Sequence, residues 1–296
     1  MLLALGLGFT ARALAKRWRA RGAEVVGTLR DASRADDRAA AASASAIPCL
    51  DFGAGTPLDA IERALAAATQ VLVSIPPDAS GAPAADVVLA RLASSLAAAR
   101  NIVWLGYLST TGVYGDRAGG WVDETSARRP GNARSARRAA AEDAWLELWR
   151  AHGVPTHVFR LAGIYGPGRS AIDQLRAGTA KRIDKPGQVF SRIHVDDIAG
   201  VLEASIAHPR PGAIYNVADD APAPAADVVA HAAQLLGVAP PPLEPYDPQR
   251  LSPIAREFYA ETRRVRNDRI KKELGVALRY PDYKAGLAAI LSASAA

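Results

Sequence analysis

Cysteine occurs once in the 296 residues, at Cys49. A single thiol forms no intramolecular disulfide, so the chain is not a disulfide-stapled secreted domain, and a reducing cytoplasm is the expected compartment. Ile47, Pro48 and Leu50 surround Cys49 with apolar neighbours, which suits a buried small hydrophobe better than a reactive thiol. Histidine is sparse as well, with five residues, and no Cys/His cluster stands at metal-ligand spacing, so no metal is expected. No run of about 18–20 apolar residues exists to span a membrane. The N-terminal stretch MLLALGLGFTARALAKRW lacks the basic segment that opens a signal peptide and becomes cationic after its short apolar run. Polar excess is also missing: 49% of residues are apolar and 22% charged, enough for a sizeable core and against disorder as the main state.

Acidic residues are the scarcer sign, 30 against 36 Lys and Arg, which leaves +6 and raises the question of an anionic partner. The densest basic run, RRVRNDRIKK at 263–272, is broken by Asp268 and followed by Glu273. Val265, Ile270, Leu274 and Val276 predict a helix there with one apolar face and a solvated charged face. Neither a reading helix nor an aromatic stacking platform accompanies it, so nucleic acid is not an expected partner.

What the sequence does contain is alternation. Apolar runs at 2–5, 23–28, 47–50, 71–75, 101–107, 156–161 and 213–217 read as strands. Segments with helical composition or spacing separate them at 10–21, 34–46, 58–68, 84–99, 137–149 and 196–207, and another follows at 225–236 before a proline-rich break at 240–248. Strands alternating with helices imply crossovers and a doubly wound, mainly parallel α/β sheet.

Between the first strand and the first helix stands Gly6-Leu7-Gly8-Phe9-Thr10-Ala11, a G-x-G-x-x-A turn. Gly6 permits the tight turn, Gly8 lets backbone approach a pyrophosphate, and Ala11 keeps helix and strand close; the helix N-terminus presents amides to the anion. Phe9 and Thr10 belong to the same cradle. At the end of the second strand, where a carboxylate would accept from the ribose of NAD, stands Arg30, whose guanidinium suits the 2′-phosphate of NADP. NADP is therefore the preferred cofactor and NAD the alternative, with Arg12 and Arg34 adding charge. Asp51 and Phe52 are placed at the adenine, and Ser74, Ile75, Pro76 and Gly163 complete the cofactor set.

The sequence resembles the extended short-chain dehydrogenase/reductases, described as NAD-dependent epimerase/dehydratases. The resemblance covers almost the whole chain: GLGFTA, then LSTTGVYGD at 108–116, Arg160-Leu161 leading into IYGPG at 164–168, RIHVDD at 192–197 and YNVAD at 215–219. It implies a Rossmann domain of residues 1–164 with about 190–218, and a smaller substrate lobe of about 165–189 with 219–296. In that family a Ser or Thr after the fifth strand polarises the substrate oxygen, and the Tyr of a Y-x-x-x-K pair moves the proton. Thr110 matches the first position, with Thr111 as deputy. Aligned on Glu142, however, Arg138 falls on the Lys and Arg134 on the Tyr. Arg138 can still hold a ribose, but arginine is a poor acid or base at ordinary pH.

The chain thus resembles the atypical branch that has lost or moved the pair, with Tyr114 and Tyr165 as replacement acids. Arg169 and Arg192 are placed as a substrate clamp, with His194 beside the substrate mouth, while Asp196 or Asp197 reads as a helix cap. The family often pairs through two helices, and 137–149 lies in the matching region, so a homodimer is expected. The functional expectation is an NADP-preferring oxidoreductase or epimerase-like enzyme for a small polar or anionic substrate. The alternative is a non-catalytic NADP(H)-binding sensor or scaffold.

Overall fold

A computed structural model describes residues 1–30, 47–78 and 86–294. The helix expected at 34–46, with Arg34, lies outside the described residues. The strands are β1 (Leu2–Leu5), β2 (Val25–Leu29), β3 (Cys49–Asp51), β4 (Gln70–Val73), β5 (Trp104–Thr110), β6 (Trp121–Val122), β7 (Thr156–Leu161), β8 (Gly163–Tyr165), β9 (Arg182–Asp184), β10 (Arg192–His194), β11 (Ile214–Val217), β12 (Leu243–Pro245) and β13 (Arg264–Val265). The described helices are α1 (Phe9–Arg19), α2 (Asp59–Ala67), α3 (Val87–Ala98), α4 (Ala133–His152), α5 (Ala171–Arg176), α6 (Val195–Ala207), α7 (Ala225–Leu236), α8 (Pro253–Ala260), α9 (Asp268–Leu274) and α10 (Tyr283–Ala293).

Seven strands form one sheet in the order β11-β7-β5-β4-β1-β2-β3. Leu3 of β1 stands opposite Val26 of β2 and Val71 of β4, both pairings parallel. Strand order therefore reverses beside β1, and in such sheets ligands bind at the carboxyl ends of the strands at this switch point. All four residues of β1 are fully buried, as a strand covered on both faces requires. Cys49 is half-buried on β3 rather than fully enclosed.

The chain divides into two compact units. The first comprises Met1–Ser109, Ala136–Arg160 and Ala199–Tyr215. Its core holds Leu3, Leu5, Val71, Leu105 and Trp145. Trp145 stacks on Tyr107 at 5.6 Å, and its Nε1 donates to Asp86 Oδ2 at 3.0 Å. The unit also buries an ion pair: Arg160 Nη2 reaches Glu142 Oε2 at 2.7 Å, with the two side chains only 3% and 0% exposed. Ser109 Oγ donates to the same carboxylate, so burial of both charges is offset by a complete set of polar partners.

The second unit comprises Thr110–Ser135, Leu161–Ile198 and Asn216–Ala296. Its core packs Ile172, Val228, Ala232, Leu287 and Ile290 from α5, α7 and α10. The basic run at 263–272 departs from the expected single helix. Arg264 and Val265 instead pair as β13 with β6, because Arg264 N–H donates to Gly120 and Arg266 N–H to Val122. Only Asp268–Leu274 is helical, and Val265, Ile270 and Leu274 are buried. Asp197 is no helix cap: its two carboxylate oxygens accept from Arg279 N at 2.7 Å and Tyr280 N at 3.0 Å, tying the C-terminal segment down.

Removing one partner of a buried ion pair leaves a bare charge, at a cost of about 3–5 kcal/mol, whereas replacing both with apolar groups is close to neutral. In urea unfolding, Glu142→Gln should lose stability of that order and Glu142→Leu/Arg160→Met should recover most of it. A small loss from Glu142→Gln would show that the pair is not a structural anchor.

Candidate functional site

The turn after β1 is built by steric necessity. Gly6 has φ +92°, and a Cβ there would lie 2.8 Å from Ile75 Cγ1 and from Ser74 Oγ, so no other residue fits without displacement. Thr28 Oγ1 accepts from Gly6 N–H at 2.8 Å, and Leu7 N–H donates to Thr28 O at 2.8 Å, locking the turn to β2. Ser74 Oγ donates to Gly6 O from the other side. Ser74 and Ile75 thus brace the turn, with Pro76 next in the chain, while Thr10 and Ala11 are buried beneath it.

Gly8 differs. Its φ of −81° is open to any residue, and among the described residues a Cβ there meets nothing closer than Ser74 Oγ at 4.0 Å. The space above Gly8 is therefore a cradle that a side chain would fill. Gly8 is also the N-cap of α1, no side chain among the described residues caps the helix, and no acidic residue stands in its first turn. Among the described residues this is open space over a helix N-terminus without a competing carboxylate, which fits a phosphate-bearing cofactor.

Arg30 is exposed where β2 ends. A Cβ on Gly53 would stand 2.7 Å from Arg30 O, so Gly53 lets the segment after β3 approach this corner. Asp51 is exposed at the end of β3, but Phe52 is buried, with the Arg91 guanidinium 4.7 Å from its ring. Arg138 of α4 donates through Nη1 to Leu108 O at 2.6 Å and to Tyr107 Oη at 3.2 Å. It is thereby tied to the last residues of β5 within the first unit.

In the second unit, Thr110 caps a short 3₁₀ turn (Thr111–Tyr114) by accepting from Gly112 N–H at 3.1 Å. Thr111 is buried. Tyr114 is fully buried and donates to Asn216 Oδ1 at 2.7 Å. Tyr165 donates to Asp282 O at 3.3 Å, and burial pushes its phenol above the ordinary range, reinforced by Asp219 and Asp197. Arg134 is held by Glu257 at 3.2 Å, with Phe258 under its guanidinium at 5.3 Å.

Of the predicted substrate residues, Arg169 is exposed in a tight turn bridged to Gly166, and Gly163 N–H donates to Ser191 O. Arg192 turns inward: its Nη1 donates to Phe190 O and Ala223 O, both at 2.8 Å. His194 is 1% exposed, packed against Tyr165 and Tyr280 at 5.2 and 4.2 Å, and burial pushes its imidazole pKa down. Asp196 N–H donates to His194 Nδ1 at 3.2 Å, which leaves the proton on a buried Nε2 that has no partner among the described residues. Sequence reasoning assigned no role to Asp219. It is 1% exposed, its Oδ2 lacks a partner among the described residues, and burial pushes its carboxyl up to about 7 against the pull of Arg192. Its only sequence signal was membership of the YNVAD stretch. Among the described residues no His, Cys, Asp or Glu group is arranged for a metal, and no helix is long and apolar enough to cross a membrane.

A seven-stranded α/β sheet with a glycine turn at its switch point is a Rossmann fold. The chain belongs to the NAD-dependent epimerase/dehydratase family, whose sequence profile matches residues 3–218. It is 32% identical over 188 residues to Protein YeeZ of Escherichia coli (strain K12), a match spanning 63% of this chain and 62% of that one, under two thirds of the relative's length. A functionally unknown conserved protein from Silicibacter pomeroyi DSS is 47% identical, with a TM-score of 0.86 over 99% of this chain and 98% of that structure. dTDP-glucose 4,6-dehydratase from Bacillus anthracis, solved in complex with NAD, shares the fold at 16% identity and a TM-score of 0.80, covering 98% of this chain and 95% of that one.

Between the ordinary carboxyl value of 3.8 and its own value near 7, folded Asp219 holds a proton that the unfolded chain has released. The folded state then binds more protons, so this group makes stability fall as pH rises through that window and level off above it. Asp219→Asn should remove the slope, with a melting temperature relative to wild type that rises from pH 4 to pH 7.5. A difference constant with pH would show that the carboxylate is ionised throughout.

Proposed function

We propose that the chain is an NADP-preferring oxidoreductase or epimerase-like enzyme acting on a small polar or anionic substrate. The observation that carries this reading is the cradle at Gly8, open among the described residues, which neither backbone conformation nor packing by those residues requires to be glycine. Gly6 to Ala11 hold the pyrophosphate, and Arg30 offers parallel donors to a 2′-phosphate. The Nε and Nη2 donors of Arg138 make no bond to the described residues and serve the ribose, while its Nη1 holds the β5 end. When bound, the nicotinamide supplies or accepts a hydride.

Thr110 polarises the substrate oxygen. Its Oγ1 accepts from Gly112 N–H, so the hydroxyl proton is left to donate to a substrate acceptor. Tyr114 and Tyr165 have each committed their hydroxyl proton, to Asn216 and to Asp282 O. Neither is poised to protonate a substrate, so the proton passes between substrate and water, with Thr110 orienting the exchange.

A second reading, a sensor or scaffold that binds NADP(H) without turnover, is favoured by Arg134. This residue stands where the resemblance places the family's acid, and it is neutralised by Glu257 instead.

Arg30→Ala should weaken NADPH binding about tenfold to hundredfold, as loss of a charged hydrogen bond of ~1.5–3 kcal/mol requires, with little change for NADH. Gly8→Val should melt like wild type without cofactor yet lose NADPH binding. Equal losses for both cofactors in Arg30→Ala would remove the NADP preference. Turnover abolished by Thr110→Val would exclude the sensor, whereas a broad substrate screen without turnover would exclude the enzyme.

A further inference from the structure

Arg192 opens β10 in the second unit, and its guanidinium is only partly spent. Nη1 donates to Phe190 O and Ala223 O, the carbonyls of two residues that also bridge each other through their backbones. Nε and Nη2 have no hydrogen-bond partner among the described residues. Arg192 is half-buried and neither atom is among the enclosed polar atoms left unsatisfied, so both keep contact with solvent. We infer that this free edge of Arg192, with the aromatic row Phe190, Tyr259 and Tyr246 beside it, binds the carboxylate and the ring of an aromatic monocarboxylic acid. The inference rests on the enzyme reading above, which expects Arg192 at the substrate, and names the substrate class for it.

The free edge selects the charged end of the ligand. In a guanidinium, Nε–H and one Nη2–H point the same way, a fork that matches the two oxygens of a single carboxylate. Two backbone carbonyls at 2.8 Å hold Nη1 and so fix the plane of that fork before any ligand arrives. Little side-chain freedom is then lost on binding.

Asp219 does not complete the pair. Its Oδ1 accepts from Ala221 N–H at 3.2 Å, its Oδ2 is enclosed without a partner among the described residues, and burial pushes its carboxyl up to about 7. Burial also works against the Arg192 charge and lowers its pKa, with Asp219 pulling the other way. An external carboxylate therefore relieves a standing cost. One cation answers one negative charge, whereas a phosphate dianion would keep its second charge bare in a half-buried place.

The rings set the body of the ligand. Arg192 Cζ lies 5.8 Å from the centre of the Phe190 ring, Phe190 meets Tyr259 edge to face at 5.2 Å, and Tyr259 stacks on Tyr246 at 5.7 Å. Three separate segments build the row: Phe190 stands just before β10, Tyr259 near the end of α8 and Tyr246 just after β12. Lys185 ties two of them, donating to Tyr259 O and standing 4.7 Å from the Tyr246 ring. Gln188 Nε2 donates to Glu261 O at 2.8 Å and so pins the chain just beyond α8. All three rings are half-buried, so each keeps uncovered surface, and aromatic surface beside a free cation suits a ring that carries a carboxylate.

Calorimetric titration of the full chain with 3-phenylpropanoate as probe tests this. We expect saturable binding, with at least about tenfold weaker binding of the neutral 3-phenylpropanamide and of 2-phenylethyl phosphate, and about threefold weaker binding of 3-cyclohexylpropanoate. Tyr259→Leu should erase the preference for phenyl over cyclohexyl and keep the preference for acid over amide, a split that misfolding cannot imitate. Arg192→Lys keeps the charge without the fork and should cut the ratio of acid to amide binding about tenfold. Absence of saturable acid binding, equal binding of acid and amide, phosphate binding as tight as the acid, or a phenyl preference unchanged in Tyr259→Leu would overturn the proposal. So would an unchanged ratio in Arg192→Lys; should that variant not fold, the ligand series and Tyr259→Leu decide alone. NADPH titrated into the same preparation separates the readings: NADPH binding without acid binding sinks only the ligand class, and acid binding without NADPH binding sinks only the enzyme.

Discussion

The first unit depends on one steric constraint, the passage from β1 into α1 at Gly6. The chain must reverse there between Ile75 and Ser74 on one side and Thr28 on the other, with a positive φ and no room for a Cβ. Because β1 is the strand beside which the order reverses, this turn sets the N-terminus of α1 at the carboxyl edge of the sheet. Two strand glycines play subordinate parts: Gly27 leaves space for Leu7, and Gly106 for the ring of Trp104. Gly8 alone in the turn has no packing reason among the described residues, and the cofactor of the proposed function would supply one.

Several of the cations have local partners. Arg17 meets Glu203 at 2.5 Å, Arg263 meets Glu261 at 2.6 Å, and Lys271 meets Asp220 at 2.5 Å. In the basic run, Arg264 bonds Gly119 O and Arg266 lies 5.1 Å from the Trp121 ring. Such pairs contribute little stability individually.

The second unit contains a different kind of interior. Arg192, His194, Asp219 and Tyr165 bring chargeable groups into low dielectric, and the imidazole and carboxyl there both lean toward their neutral forms. Arg192 is legible in the sequence as a cation, but its task of holding the carbonyls of Phe190 and Ala223 is not, since both are backbone acceptors with no sequence signature. Tyr114 and Tyr165 are likewise legible as aromatic residues near the sheet edge. That their hydroxyls are spent on Asn216 and on Asp282 O follows only from partners 102 and 117 positions away.

The sequence by itself determined the alternation of strands and helices, the parallel sheet and the phosphate turn, because each rests on short-range periodicity or on the φ freedom of a glycine. It also marked Arg30 and Thr110, whose positions follow from the ends of β2 and β5. Tertiary structure alone decided which charges are spent and which remain. Glu142 meets Ser109 and Arg160, and Phe190, Tyr259 and Tyr246 come to stand in a row beside Arg192, through long-range packing that has no period in the chain. For the same reason two residues of the basic segment, Arg264 and Val265, became strand, because β6 supplied backbone partners that local propensity does not encode.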